Sequence, residues 1–485
     1  MKIKKRMLMV MGCSLIWSLL VTGWPVSAQE DVETELDHYI DGYVDEYRVP
    51  GASVILLKDG DVFYSKSWGV TGEKEEVVTA DTPFTIGSIS KSLTGLGVMK
   101  LVDEDLIELD DPVRKHLPWF TLSDEEAAGR ITVNQLLTQT SGLGTYTGLI
   151  MSDQEANDLS AIRENVKNLA DVELSAPVGQ KHLYSNSNFM ILGALIEEVT
   201  GVGFSEYMDQ SVLKPLGMEH AAGERETAYK NGYARGYQSW FGMPVKSSVA
   251  YDNGGAPYGY MTASANDMVK FLSFLNGEDT DGLLSEESKS LYLTPHVQTG
   301  EDRYYGLGIR VSNPGSPEEM IWHSGSTPDS HSELFTMPET GWGGVLLTNK
   351  NNVLEEEGLY YLKMGIIDIL NGDEPGEIPG NTPVIQLILL LVAVLLAGML
   401  VFFIRKPVLK RGRGFVTGSV LIALSFGLIP ALSYVSQSPW HAVWMFSPDL
   451  AFLVMVIAGL LGLNGIWVFA GAFRKMERPE HLCDC

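Results

Sequence analysis

Val32 to Tyr47 carries apolar residues at helical spacing, which predicts an amphipathic helix. Two apolar-rich runs follow, Ala52–Leu57 and Val62–Trp68. They flank Lys58-Asp59-Gly60-Asp61, a turn whose Asp-Gly pair marks a β-hairpin. Ser92–Val102 returns to helical spacing. From there to about residue 300, helical patches alternate with Gly/Pro-rich turns. Strand candidates come next, at Tyr305–Val311, Met320–His323, Ser332–Met337 and Trp342–Thr348, and a last helix over Val353–Ile369. Strands and a helix at both ends with a helical middle predict one α/β (α+β) domain. Its antiparallel sheet is built from both ends of the chain, and a helical region over about 84–300 is inserted between them.

Beyond residue 383 the pattern changes. Val384–Ile404, Phe415–Val435 and Leu450–Phe473 are continuous apolar runs, each long enough to cross a hydrocarbon core as a helix. Arg405, Lys406, Lys410, Arg411 and Arg413 follow the first run, and Arg474, Lys475 and Arg478 follow the third, ahead of a tail over 474–485. The stretch 436–449 has no Lys or Arg. The positive-inside bias then puts both basic stretches in the cytoplasm and residues 29–381 outside. Residues 1–28 predict the same side. They read as a signal peptide, with basic Lys2 to Arg6, apolar Met7 to Val21 and the small-residue site Val26-Ser27-Ala28. A lipoprotein signal at Cys13 is disfavoured because the apolar run continues past it. Glu374–Thr382, with its prolines, glycines and no apolar period, reads as a linker between an outer domain over 29–373 and the three spans. The expected location is therefore a multi-pass membrane protein with its main domain outside the cell.

The formal net charge is −26, although the first 28 residues carry four basic residues and no acid. The acid is concentrated in the outer domain, which excludes nucleic acid as a partner, because phosphates must be met by cations. It suits a well-solvated surface. The three cysteines are Cys13, Cys483 and Cys485, so the outer domain has neither a disulfide nor a cysteine nucleophile. The Cys-Asp-Cys end lacks the second pair of ligands that a metal site needs, and no metal or cofactor is expected.

Three short motifs carry chemistry. In Ser88-Ile89-Ser90-Lys91 the first and last residues share one helix face, which puts an amine beside a hydroxyl. A serine there also serves as a helix cap, but a buried lysine with a lowered pKa would make this one a nucleophile. Tyr184-Ser185-Asn186 precedes the apolar helical run Phe189–Val199, where a loop tyrosine and a capping asparagine are the plainer reading. His323-Ser324-Gly325-Ser326 ends an apolar strand, and its glycine lets a ligand approach a free strand edge. No G-x-S-x-G, H-E-x-x-H or phosphate-binding Gly-rich motif is present, and the nine histidines do not cluster at zinc spacing.

Taken in this order, the three motifs follow the S-x-x-K, Tyr-x-Asn and K-T-G-like series. The chain resembles serine β-lactamases of class C and the related low-molecular-weight penicillin-binding proteins, D-aminopeptidases and esterases. The resemblance runs over roughly 33–370 and includes Leu109–Val113, Leu137–Leu143, Pro215–Met218, Met261–Phe271, Tyr305–Gly308 and the stretch 323–328. It implies acyl transfer through an acyl-enzyme. Ser88 would be the nucleophile, and Lys91 and Tyr184 would share the proton work. The N–H groups of Ser88 and Ser326 would hold the oxyanion. Asn186 would hold the acyl side of the substrate and steady Lys91 and Tyr184, and Ser324 would touch the part beyond the scissile bond.

Two departures leave the substrate open. His323 stands where β-lactamases usually have a lysine that helps recognise a carboxylate, and Gln139 stands where many relatives have histidine. An amide or ester hydrolase at the cell surface is expected, a peptidase or esterase on D-amino-acid peptides ahead of a β-lactamase. Its partners would be a small-molecule or cell-wall peptide substrate and the lipid bilayer. The rival from another class is a penicillin-binding sensor that is acylated and turns over slowly.

Overall fold

In the computed structural model the described residues are 26–277, 282–405 and 411–474. The signal peptide therefore lies outside them up to residue 25, as do Lys406, Lys410, Lys475, Arg478 and all three cysteines. Helix α1, Val26–Glu46, opens the described chain. Strands β1 (Gly51–Lys58) and β2 (Asp61–Gly69) form the predicted hairpin. Asp59 and Gly60 at its turn both adopt positive φ, which matches the twist of the two strands. The other strands of the main sheet come after most of the helical region: β3 (Val297–Gly300), β4 (Arg303–Tyr305), β5 (Arg310–Ser312), β6 (Met320–Thr327), β7 (Ser330–Met337) and β8 (Trp342–Thr348). They make one eight-stranded antiparallel sheet in the order β2-β1-β8-β7-β6-β5-β4-β3. The two chain ends meet where β1 pairs with β8, from Ala52 opposite Thr348 to Lys58 opposite Trp342.

The central strands are apolar on both faces because both faces are covered. Val54 and Leu56 point to the side where α1 packs with α5 (Glu356–Asn371), among Leu36, Ile40, Leu362 and Ile366. Their neighbours Ile55 and Leu57 point the other way, into the larger core of the helical region. Each such fully buried side chain contributes about 1.5–3 kcal/mol. In that region α2 (Ile89–Asp103) is the central helix, followed by α3 (Asn186–Thr200) and α4 (Ala265–Leu275). The first three turns of α2 have no solvated face: Ser90, Lys91, Ser92 and Thr94 are all buried. Their polar atoms have partners. Ser92 Oγ donates to Gly308 O at 2.7 Å, Thr94 Oγ1 donates to Pro257 O at 2.9 Å, and Ser90 Oγ accepts from Met261 N at 3.2 Å.

The expected Tyr305–Val311 strand is broken in two. Gly306 to Ile309 leave the sheet so that the loop can pass α2, and Gly308, at φ +98°, lies against the Lys91 carbonyl. The stretch 374–382 has no regular structure, but it is strapped down. Tyr39 donates to Gly376 O at 2.8 Å, and Tyr47 donates to Pro379 O at 3.0 Å.

Three helices follow that are long and apolar enough to cross a membrane: α6 (Val384–Arg405), α7 (Arg411–Ser436) and α9 (Pro448–Arg474). α9 packs against both others. Asn464 Nδ2 donates to Leu396 O on α6, and Ser425 Oγ on α7 donates to Ala458 O. Between α7 and α9 the chain forms a further short helix, α8 (Trp440–Phe446), where the pattern predicted only a loop.

Candidate active site

Ser88 is the residue before α2. Its backbone is already helical and its hydroxyl caps nothing, so the capping reading does not apply. Lys91, one turn on, points its ammonium at that hydroxyl, with Nζ to Oγ at 2.9 Å. Its second partner is the Tyr258 carbonyl at 2.7 Å. The lysine is fully buried. Burial lowers its pKa, and the nearby Arg310 adds to this, while Tyr184 and Asp153 oppose it.

Tyr184 lies on the other side of the same amine, its ring centroid 4.9 Å from Lys91 Nζ. Burial alone would raise the phenol's pKa. The cations of Lys91 and Arg310 and the hydrogen bonds with Ser88 and Lys91 outweigh it and hold the pKa below its ordinary value. Gln139, set at φ +61°, anchors the loop that carries Tyr184. Its carbonyl takes the Leu183 N–H at 2.8 Å, and its side-chain oxygen takes the Ser185 N–H at 2.9 Å and the Asn188 amide. Asn186 starts α3 and lines the same cavity as Ser88. Its amide donates to Ser152 Oγ at 2.9 Å, so its bond is to Ser152 rather than to Lys91.

The third motif supplies an edge. β6 pairs with β5 only through Trp322, so His323 to Thr327 pair with β7 alone. Pro328 and Asp329 close a two-residue hairpin loop, which makes Thr327 and Ser330 a hydrogen-bonded pair. Alternation then turns the N–H groups of Ser324 and Ser326 to the open edge. That edge meets the nucleophile turn closely. A Cβ on Gly87, at φ +52°, would lie 2.2 Å from Ser326 N, and one on Gly325 would lie 1.9 Å from Ile86 O. Glycine at both positions is what brings the Ser88 and Ser326 backbones together. Ser326 Oγ also donates to Glu356 and accepts from Asn351 Nδ2 at 2.7 Å.

His323 is placed differently from the substrate-gripping role that its motif position implies. It is only 2% exposed. Its ring lies 6.3 Å from that of Tyr184, and its Nδ1 donates to Ser324 O at 2.6 Å. Burial, then Arg310, push its pKa well below the ordinary 6.5, so it is neutral. Ser324 is half-buried beside it and does not line the cavity.

The cation beside the tyrosine was not singled out by any motif. Arg310, on β5, lies 5.1 Å from the Tyr184 ring and 5.4 Å from that of Trp322, and its Nε is buried without a partner. Only its place two residues after the Tyr305–Gly308 landmark could have marked it.

The Beta-lactamase family profile matches residues 36–363, which span the sheet, the helical region and all three motifs. The chain belongs to the beta-lactamase family. Protein flp of Staphylococcus aureus (strain MRSA252) is 28% identical over 341 residues, 70% of this chain and 67% of that protein. Penicillin-binding protein 4 of Amycolatopsis lactamdurans is 28% identical over 321 residues, 63% of this chain and 82% of its own. The octameric penicillin-binding protein homologue from Pyrococcus abyssi superposes with a TM-score of 0.60 at 27% identity, covering 74% of this chain and 81% of that one. The fold of this beta-lactamase-family chain is therefore the serine β-lactamase/penicillin-binding-protein fold, as the motifs implied.

The cavity before Ser88 extends past the family's own domain. It measures about 490 Å³. Ser88, Tyr184, Asn186 and Ser326 form its floor. Leu432 of α7, Val443 and Phe446 of α8, and Leu450 of α9 form its roof, beyond the end of the family match. The roof is fastened by hydrogen bonds. The buried Asp449 carboxylate accepts from Phe241 N at 2.9 Å, Asn352 Nδ2 at 3.1 Å and Gln386 Nε2 at 3.1 Å. Val353 N donates to Phe446 O at 2.9 Å, and Gln238 Nε2 donates to Met445 O at 2.7 Å.

Proposed function

We propose that this beta-lactamase-family protein is a membrane-anchored serine hydrolase, its catalytic domain outside the cell, that cleaves an amide or ester through an acyl-enzyme. The observation that carries the reading is the 2.9 Å contact between the Ser88 hydroxyl and a fully buried Lys91 whose pKa is lowered. A lysine that gives up its proton easily can accept the serine's proton. Ser88 Oγ then bonds to the substrate carbonyl carbon, and the proton passes to Lys91 or Tyr184. The N–H groups of Ser88 and Ser326 take the oxyanion. When the carbon–nitrogen or carbon–oxygen bond breaks, the leaving group takes that proton from Tyr184 or Lys91. Water, deprotonated by the same pair, releases the acid and restores Ser88.

In this scheme Arg310 keeps Tyr184 ready to accept a proton, and His323 buttresses Tyr184 from behind as a neutral base. A buried neutral ring does not grip a carboxylate, so His323 counts against an exchange of histidine for lysine as the route to penicillin specificity. A peptidase or esterase remains the favoured type.

The test is turnover by the full chain of a short ester, a D-Ala-D-Ala peptide and a penicillin, each beside Ser88→Ala. Ser88-dependent turnover of the ester or the peptide is expected. Stable acylation by penicillin without turnover of any substrate would instead identify a sensor. Reporters fused after Arg413 and near Gln437 test the orientation, with the first expected inside and the second outside.

A further inference from the structure

The roof over Ser88 is mainly apolar, with Ser436, Ser438 and Ser447 as its polar members, and is made from the ends of membrane-type helices. Leu432 lies about one turn before the end of α7, and Leu450 lies in the first turn of α9. Between them α8 brings Val443 and Phe446 to the cavity and carries Trp440 and Trp444, residues at home where a bilayer meets water. On the catalytic side Leu149, Val353 and Leu354 continue the same lining, and Val353 is still 48% exposed with the roof in place. A polar peptide chain laid along this lining would lose its water and find few partners. A hydrocarbon chain matches it.

We propose that the substrate is a membrane-borne amphiphile, an ester or amide of a long-chain acyl group, drawn from the outer leaflet. The inference rests on the hydrolase reading above and names its substrate class. The scissile carbonyl sits at Ser88, at headgroup depth. The chain runs between α8 and the Val353–Leu354 corner. It lies on the acyl side, because Asn186 and Thr145 line the cavity whereas Ser324 does not. The bonds made and broken are those of the acyl-enzyme cycle, with the fatty acyl group on Ser88 Oγ and water releasing it. The membrane helices thus act as one wall of the binding site as well as an anchor.

The full chain in nanodiscs of phosphatidylethanolamine and phosphatidylglycerol tests this with 4-methylumbelliferyl acetate and decanoate. The kcat/KM ratio, decanoate over acetate, should exceed about tenfold and fall by about tenfold in Val443→Asp, where a carboxylate meets the chain. Leu354→Asp, on the catalytic side of the same lining, should lower the same ratio. Partitioning of each ester is the same for every variant in the same lipid, so the change in the ratio between variants is free of it, and the wild-type ratio is corrected by the measured partition coefficients. A ratio near one in the unaltered protein, with acetate hydrolysis lost in Ser88→Ala, overturns the amphiphile and leaves the hydrolase standing. A ratio that responds to Leu354→Asp but not to Val443→Asp overturns the roof's part in binding. If neither ester shows Ser88-dependent hydrolysis, the hydrolase reading fails and this inference fails with it.

Discussion

The floor and the roof of the cavity before Ser88 are built on different terms. The floor is polar, dense with hydrogen bonds and joined from three short motifs, each local in itself. Ser88 and Lys91 are one helical turn apart, and Tyr184 and Asn186 share a single loop-to-helix junction. The roof is mainly apolar and assembled at long range, from residues beyond 430 packed over a domain whose family match ends at 363. Catalytic chemistry needs donors and bases at fixed short distances, and short motifs supply those. Selection among substrates needs only a shaped surface, which any neighbouring element can supply. Under the proposed function the reaction belongs to the floor and the choice of substrate to the roof.

The hardest blow to the floor is Ser88→Ala. Hydrolysis of every substrate should fall by about six orders of magnitude, as for the loss of a nucleophile elsewhere. Assays of initial rate check this, and a smaller loss would mean that another group attacks. Lys91→Met should lower kcat/KM by about two to four orders of magnitude. Stability should change less, because methionine suits the buried site.

Asp449→Ala strikes the roof. It leaves the Gln386 amide and the Phe241 N–H without their acceptor and the Asn352 amide with Ser239 O alone, at a cost of about 1–3 kcal/mol. Hydrogen exchange should quicken in α8 and leave α2 protected. Equal quickening in both helices would mean that roof and floor unfold as one unit.

Arg310→Met tests the floor's electrostatics. Arg310 lowers the pKa of both Tyr184 and Lys91, so its loss raises both. The acid limb of the kcat/KM profile should move up by about one pH unit. Arg310→Lys should restore most of the shift, and an unmoved limb would remove Arg310 from the mechanism.

The smallest effect concerns His323. Its folded pKa is depressed below 6.5, so the unfolded chain binds more protons and stability is lost as pH falls below about 6.5. The slope from this one group is at most about 1.4 kcal/mol per pH unit. Asp153 and Asp252, each raised to about 6 by burial, act in the opposite direction. Comparing the pH dependence of unfolding in the native protein and in His323→Gln cancels their share, and the variant should show the shallower acid loss.

Much of the floor was legible because it rests on local spacing. Ser88 and Lys91 follow from the helix period, and the β1–β2 turn follows from Asp59-Gly60. Trp342–Thr348 has the bounds its apolar run predicted. Elsewhere packing overrode pattern. The strand expected over Tyr305–Val311 breaks because α2 needs room at Gly308. The stretch 374–382 has no period to betray its docking, since it is held through its carbonyls by Tyr39 and Tyr47. Arg310 is a single cation in a short strand, and only the fold shows that it faces Tyr184. The roof was illegible for a different reason. Hydropathy reports that α7 and α9 suit lipid, not that their ends meet an active site. Asp449 belongs to no motif, and its three long-range partners lie at Phe241, Asn352 and Gln386.

The central claim is that Ser88 forms the acyl-enzyme, and trapping that intermediate tests it most directly. The full chain is treated briefly with a fluorescent penicillin or an alkyl fluorophosphonate, quenched, digested and sequenced by tandem mass spectrometry. The account predicts one adduct, on Ser88, formed slowly in Lys91→Met and absent in Ser88→Ala. An adduct on another residue, or labelling that persists in Ser88→Ala, would contradict it.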